Sequence, residues 1–375
     1  MSIRKRILSD KFELPEDLNV SHFYSLDGIR AISVFIVLIG HANSEFKNSI
    51  ITSTLAGGTL GVYIFFVISG FLITSLLIKE KLKTGTISIK DFYIRRALRI
   101  LPVAYLYLLV LFFLHIFCGL QVSYLEYIGC AFFLVNLGYF HTGVYTGHYW
   151  SLSVEEQFYV VFPSILRRNY RLYINFLFVL LTLILISKAF DFRELGKLHP
   201  KYHLFSILNV MKEMVIHLDG IIVGSLLSIC LFKGIFPLNW VVKNKILLHI
   251  ILIPITIILF NNLLFHSVLN LTVSAILIAV LLASNLRNST DAIFKVLNLK
   301  LLKRIGTLSY STYIWQQLIL FRYYNVFNDD KYAWWGLLVC LFFLSAIVYA
   351  SYEFFEKRFL VLKKNNSYGN KNYMQ

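Results

Sequence analysis

The stretch SLDGIRAISVFIVLIGHAN, residues 25–43, sets an otherwise lipid-compatible run between Asp27 and Arg30 near one end and His41 near the other. Ionisable groups inside a spanning segment are costly and by default mark functional positions. The chain around it has the composition of a membrane protein. Of its 375 residues 58% are apolar and only 15% charged, with a mean hydropathy of +0.68, whereas a soluble domain carries about a quarter charged residues.

Repeated apolar runs predict an all-α, polytopic membrane protein with about ten spans and a short re-entrant segment. The spans are read at 26–46, 58–78, 100–120, 150–166, 172–190, 213–232, 246–264, 269–286, 306–322 and 334–352. The apolar piece 127–140 is too short to cross comfortably and fits a re-entrant or interfacial segment. A polar leader (1–25), a membrane domain (26–356) and a polar tail (357–375) complete the organisation. The leader has no cleavable signal pattern, so the first helix is expected to be retained. With the N-terminus inside, 27 Lys and Arg fall in inner segments and six in outer ones, which predicts cytoplasmic termini. The net charge of +16 sits in short loops between apolar runs, which excludes a nucleic-acid reading and suits contact with anionic lipid. Cys118, Cys130, Cys230 and Cys340 lie singly in apolar runs and read as small hydrophobes.

Three polar clusters carry the chemistry. His41 lies eleven positions after Arg30, so they differ by only ~20° around the helix and lie ~16 Å apart along it. Asp27, three before Arg30, can pair with it on the same face. A neutral imidazole at such a place is a usable proton acceptor; the plain alternative for Asp27 and Arg30 is a pair that fixes helix orientation. The second cluster, HYWSLSVEEQFYVVFP (148–163), brings Glu155 and Tyr159 onto one face. Its position at the outer end of a span sets Glu155 at the depth of His41, where a carboxylate would orient the ring. Glu156 is rotated away and suits the helix start. The third, DFYIRRALRILP (91–102), holds Arg95, Arg96 and Arg99, which fit phosphate oxygens or, equally, anionic-lipid anchoring. Gly61, Gly70, Gly220 and Gly224 read as close-packing positions. Asp219 has no assigned role.

With these residues in place, the chain resembles the acyltransferase-3 family of membrane O-acyltransferases. The resemblance runs over nearly the whole length: LDGIRA…H with ten residues between Arg30 and His41, GVYIFFVISGFL, FYIRRALRILP, YWSLSVEEQFYVVFP, and IGTLSYSTYIW at 305–315. It implies acetyl-CoA as donor and a cell-envelope sugar hydroxyl as acceptor, in O-antigen, capsule, exopolysaccharide or a lipid-linked precursor. It implies His41 as the essential histidine, Arg30 as its partnered arginine, Glu155 as the acidic member of the second motif, and Arg95, Arg96 and Arg99 as the group that binds CoA phosphates. The chain departs at Gln316, where relatives often have His, and no catalytic role is carried there. No esterase-like domain of the kind fused to some members is expected, so the membrane part is expected to complete the transfer or hand the group to a separate protein.

The mechanism expected from this has CoA docked at the arginines and its pantetheine arm reaching towards His41, which deprotonates the sugar hydroxyl. Glu155 orients the imidazole and Arg30–Asp27 holds the first helix. No metal is required, and an acetyl-His intermediate is the variant. The competing class is a lipid-linked-glycan flippase or exporter using the same polar groups as a path. A scaffold or sensor would predict that His41 is replaceable.

Overall fold

The computed structural model describes residues 12–20, 22–43, 58–137, 140, 142–189, 217–261, 269–326 and 333–362. Parts of the expected spans 26–46, 172–190, 213–232 and 246–264 lie outside these residues, as do most of the polar tail and Lys47, Arg193, Lys197, Lys201, Lys212 and Lys331.

Every described regular element is helical. The helices are α1 (Tyr24–Asn43), α2 (Thr59–Thr84), α3 (Ile89–Cys118), α4 (Tyr124–Ala131), α5 (Tyr149–Arg168), α6 (Tyr170–Ala189), α7 (Leu218–Phe232), α8 (Leu238–Lys243), α9 (Lys245–Phe260), α10 (Asn270–Ser284), α11 (Ala292–Leu297), α12 (Lys300–Val326) and α13 (Ala333–Ala350). Each of the ten expected spans is carried by a helix. Among the described residues five helices are long and apolar enough to cross a bilayer by themselves, and α7, α9 and α10 are shorter apolar helices. The polypeptide is a polytopic, all-α membrane protein. The eight-residue α4, at ~1.5 Å per residue, is far too short to cross. Its start is fixed by Ser123 and Glu126 in a reciprocal cap, so the apolar piece 127–140 does not form a span.

Two compact units divide the chain: residues 1–87, 136–138 and 154–307 in one, and 88–135, 139–153 and 308–375 in the other. In the first unit α2 and α7 form the centre. A Cβ at Gly70 would run into the Ile221 carbonyl, and one at Gly224 into the Val67 carbonyl. Only glycine lets the two backbones approach this closely. The seam is tied by Ser225 Oγ donating to Gly70 O (3.3 Å) and by Ser75 to Ser228 (2.9 Å).

The first unit also holds part of the leader. Leu18 is fully buried, Arg287 forks onto Asp17 (Nε–Oδ1 2.5 Å, Nη2–Oδ2 2.7 Å), and the Phe12 ring lies 4.1 Å from Tyr170. In the second unit tyrosine hydroxyls donate to backbone carbonyls: Tyr149 to Ala104 (2.7 Å), Tyr310 to Ile100 (2.7 Å) and Tyr107 to Tyr145 (2.6 Å). These bonds satisfy hydroxyls that would be expensive to strand in an apolar interior.

Candidate active site

The stripe predicted on α1 faces protein. Val34 and Val37, which lie between Arg30 and His41 on that stripe, are buried, while Ile32, Phe35 and Ile39 on the opposite side are exposed. Arg30 Nη1 lies 3.3 Å from Asp27 Oδ1, so the expected pair forms. Asp27 also takes His22 Nε2 on its second oxygen at 2.9 Å. Gly28 and Gly306 explain their places in the sequence motifs: a Cβ at Gly28 would strike the Leu297 carbonyl, and one at Gly306 the carbonyl of Asp27. The backbone at Asp27 is therefore gripped by α11 and α12. His41 sits half-buried in the last turn of α1.

The depth of Glu155 differs from the sequence expectation. Gly58 lies against Val37 and Gly40, Gly61 against Ser33 and Val37, and the Phe71 ring meets Phe23 at 5.6 Å. α1 and α2 therefore run antiparallel, with Ser69 level with the Asp27 end of α1. Ser69 Oγ donates to Glu155 Oε1 at 2.7 Å. Glu155 thus stands at the level of the Asp27–Arg30 pair, about 20 Å along the helix from the level of His41. The reason is axial offset. A helix's sequence fixes which residues share a face, not how far the helix has slid against its neighbour. Lys81 Nζ, reaching the Leu166 and Arg167 carbonyls at 3.3 and 3.1 Å, holds α5 in that register.

Arg95, Arg96 and Arg99 belong to the second unit, in the early turns of α3, and all three are half-buried. The helix starts at Ser88, whose side chain accepts from Asp91 N. Arg99 has a carboxylate within electrostatic reach, Glu356. Glu356 is 7% exposed and accepts from Ser311 and, at 3.4 Å, from Ser351. Ser311 gives the motif at 305–315 a physical role, because it helps hold the counter-charge of Arg99. Gln316 is fully buried, and its Nε2 donates to Gln317 Oε1 at 3.3 Å.

Sequence reading left Asp219 unassigned and did not single out His217. Asp219 is fully buried, and four donors converge on it: Lys188 Nζ and Thr272 Oγ1 on Oδ2, each at 2.6 Å, and Tyr63 OH (3.2 Å) and Gly220 N (3.0 Å) on Oδ1. His217 Nδ1 lies 3.1 Å from the same Tyr63 oxygen. Because the carboxylate only accepts, the tyrosine proton points to Asp219 and His217 must donate from Nδ1. The cluster joins α2, α6, α7 and α10 and fixes one imidazole tautomer. No spacing rule reveals it, since its members come from four helices; the only hint was an isolated Asp entering an apolar run.

A family described as an acyltransferase domain matches residues 23–352 of the chain. A protein of Staphylococcus aureus strain COL, provisionally named an O-acetyltransferase, is 40% identical over 154 residues, 38% of this chain and 24% of its own length. O-acetyltransferase OatA of Staphylococcus aureus strain NCTC 8325 is 39% identical over 153 residues, with the same coverage. The aligned stretch spans about a quarter of the length of these relatives. No solved structure matches. With the match running from the approach to α1 to just past the end of α13, the chain belongs to the acyltransferase-3 family.

Proposed function

We propose that the protein is a membrane-embedded O-acetyltransferase that moves an acetyl group from acetyl-CoA to a hydroxyl of a cell-envelope glycan or its lipid-linked precursor. The observation that carries this reading is the α1 stripe: a family acyltransferase domain in which a histidine and a paired arginine face protein rather than lipid. The names of the matched relatives support an acetyl group as cargo. The charge asymmetry of the loops supports cytoplasmic termini in an inner membrane, where acetyl-CoA is available on the cytoplasmic side.

In this reading His41 takes the proton of the acceptor hydroxyl. The hydroxyl oxygen attacks the thioester carbonyl, the C–S bond breaks, and the proton passes to the departing thiolate. The imidazole is thereby restored. Arg95 and Arg96 bind CoA phosphates through their planar forks, with Arg99 held beside them by Glu356. Asp27 and Arg30 pair within α1, and Glu155, bonded to Ser69 of α2, stands at the same level as a charged rung. Glu155 acts there, through Ser69, and not on the His41 ring.

The test is acetate transferred to purified acceptor glycan by detergent-solubilised protein. His41→Ala should lower transfer by about 10²–10⁴-fold, the usual worth of a general base, with acetyl-CoA binding retained. Near-normal transfer by His41→Ala would overturn the assignment and leave glycan export as the better reading of the polar groups.

A further inference from the structure

The first unit contains a cavity of about 420 Å³, within the usual ~300–1,000 Å³ of small-molecule sites. It is walled by α1, α2, α9, α10 and α11, and its lining is almost wholly aliphatic. Along α2 it runs from Leu60 to Ile68, about 12 Å. Three of its lining residues, Ile32, Ile253 and Val296, are also among the exposed apolar side chains. The mouth is therefore lateral, on the surface that meets lipid chains.

The α11 end of the cavity is polar. His249 and Asn285 line it there. His249 Nδ1 lies 2.8 Å from the Lys245 carbonyl, which only accepts, so Nδ1 carries the ring proton. His249 Nε2 is then the acceptor for Asn285 Nδ2 at 3.1 Å. The same amide nitrogen meets the Leu281 carbonyl at 2.8 Å. This fixes the orientation of the amide, because a flipped Asn285 would oppose oxygen to two acceptors. Asn285 is 4% exposed, and its Oδ1 has no hydrogen-bond partner among the described residues. A buried acceptor left unmet is costly.

We propose that this cavity binds the acyl chain of a membrane phospholipid whose head group donates an O–H or N–H to Asn285 Oδ1. The apolar walls and lateral mouth select a chain supplied by the bilayer. The unmet acceptor selects the head: ethanolamine and glycerol heads carry donors, and a choline head carries none. The polar rim at the same end, where Lys245 Nζ pairs with Asp291 Oδ2 at 3.0 Å, is where an inner-leaflet head group would lie. The site is separate from the α1 stripe, although Ile29, Ile32 and Ile36 give it one wall of the same helix.

The experiment is native mass spectrometry of the full chain exchanged into mixed micelles containing equal phosphatidylethanolamine, phosphatidylglycerol and phosphatidylcholine of matched chains. The expected result is one retained lipid, with the ethanolamine or glycerol species favoured over choline by roughly five- to tenfold, the worth of one net hydrogen bond. Asn285→Leu should keep lipid binding but erase the preference. Ile253→Trp, at the exposed mouth, should abolish retention without disturbing the core. Equal retention of all three lipids by the wild type, an unchanged preference in Asn285→Leu, or no retained lipid would each overturn the proposal.

Discussion

Lys188→Met should destabilise the protein by about 3 kcal/mol, and Asp219→Asn by more. The two members of this pair are 4% and 0% exposed and 2.6 Å apart. Removing one partner of a buried ion pair typically costs about 3–5 kcal/mol, because the other charge stays buried. The structure says which loss is worse. Without Lys188, the Asp219 carboxylate keeps three donors, from Tyr63, Gly220 and Thr272. Without the Asp219 charge, Lys188 keeps, among the described residues, Thr272 Oγ1 at 3.5 Å, beside a neutral amide. Lys188→Met therefore belongs at the low end of the range and Asp219→Asn at the high end. Replacing both with apolar residues, Lys188→Met with Asp219→Leu, should recover most of the loss, since no charge is stranded. The assay is reversible unfolding of detergent-solubilised protein by titrated denaturing detergent, followed by tryptophan fluorescence, with Lys188→Met, Asp219→Asn and the Lys188→Met/Asp219→Asn double variant closing a double-mutant cycle. A coupling energy below about 0.5 kcal/mol, the scatter of independent sites, would refute a buried pair here.

Other perturbations follow the same logic. Arg99→Ala should lower the yield of folded protein because Glu356 loses its counter-charge, and Glu356→Gln in the same chain should restore it; Arg96→Ala should instead weaken acetyl-CoA binding by about 1.5–3 kcal/mol at unchanged stability, so identical effects of the two alanines would refute the division. Gly70→Val should cost at least the ~1–3 kcal/mol of ordinary overpacking, seen as a lowered Tm, because its side chain meets the Ile221 backbone; Gly119→Asn, where φ is 67° and no neighbour lies within 4 Å, should cost far less. Asp291, outside the spans, is pushed up by burial, yet bonds from Ser289, Phe294 N and Lys245 outweigh this and hold its pKa at about 2, below the ordinary 3.8. A depressed carboxylate stabilises the fold above the higher value and loses that contribution as pH falls towards the lower one, so Asp291→Asn should flatten the stability change between pH 4 and 2; an unaltered acid limb would refute it.

The helices were legible in the sequence because lipid imposes length and apolarity on each span separately. The α1 stripe was legible for a similar reason: Arg30, Val34, Val37 and His41 are related by the period of one helix. What failed to show was everything that depends on the offset between helices. Glu155 was read at the depth of His41 because α5 begins with polar residues, but its level is set by Ser69 and Lys81 on α2. Asp219, Lys188, Tyr63, Thr272 and His217 are scattered over more than two hundred positions, and only the packing of four helices makes them one cluster. Nothing in the polar leader announces that Leu18 and Asp17 are bound into the first unit by contacts with residues far along the chain.

The separation of Glu155 from His41 constrains what the charged rung can do. His41 and Arg30 lie ~16 Å apart along α1, with Val34 and Val37 buried between them. At an effective dielectric of about 20, a full charge at that distance acts on the imidazole with only about 1 kcal/mol. Asp27, 3.3 Å from Arg30, cancels much of even this. The rung therefore acts only weakly on the His41 ring. At this end Gly28 and Gly306 allow α11 and α12 to clamp the α1 backbone, while Asp27 and Arg30 pair within α1 and Ser69 ties α2 to Glu155 on α5. Gly58 and Gly61 seat the opposite end of α1 on α2. The reactivity of His41 then depends on the groups that meet it at its own end of the helix and on the substrates that reach it.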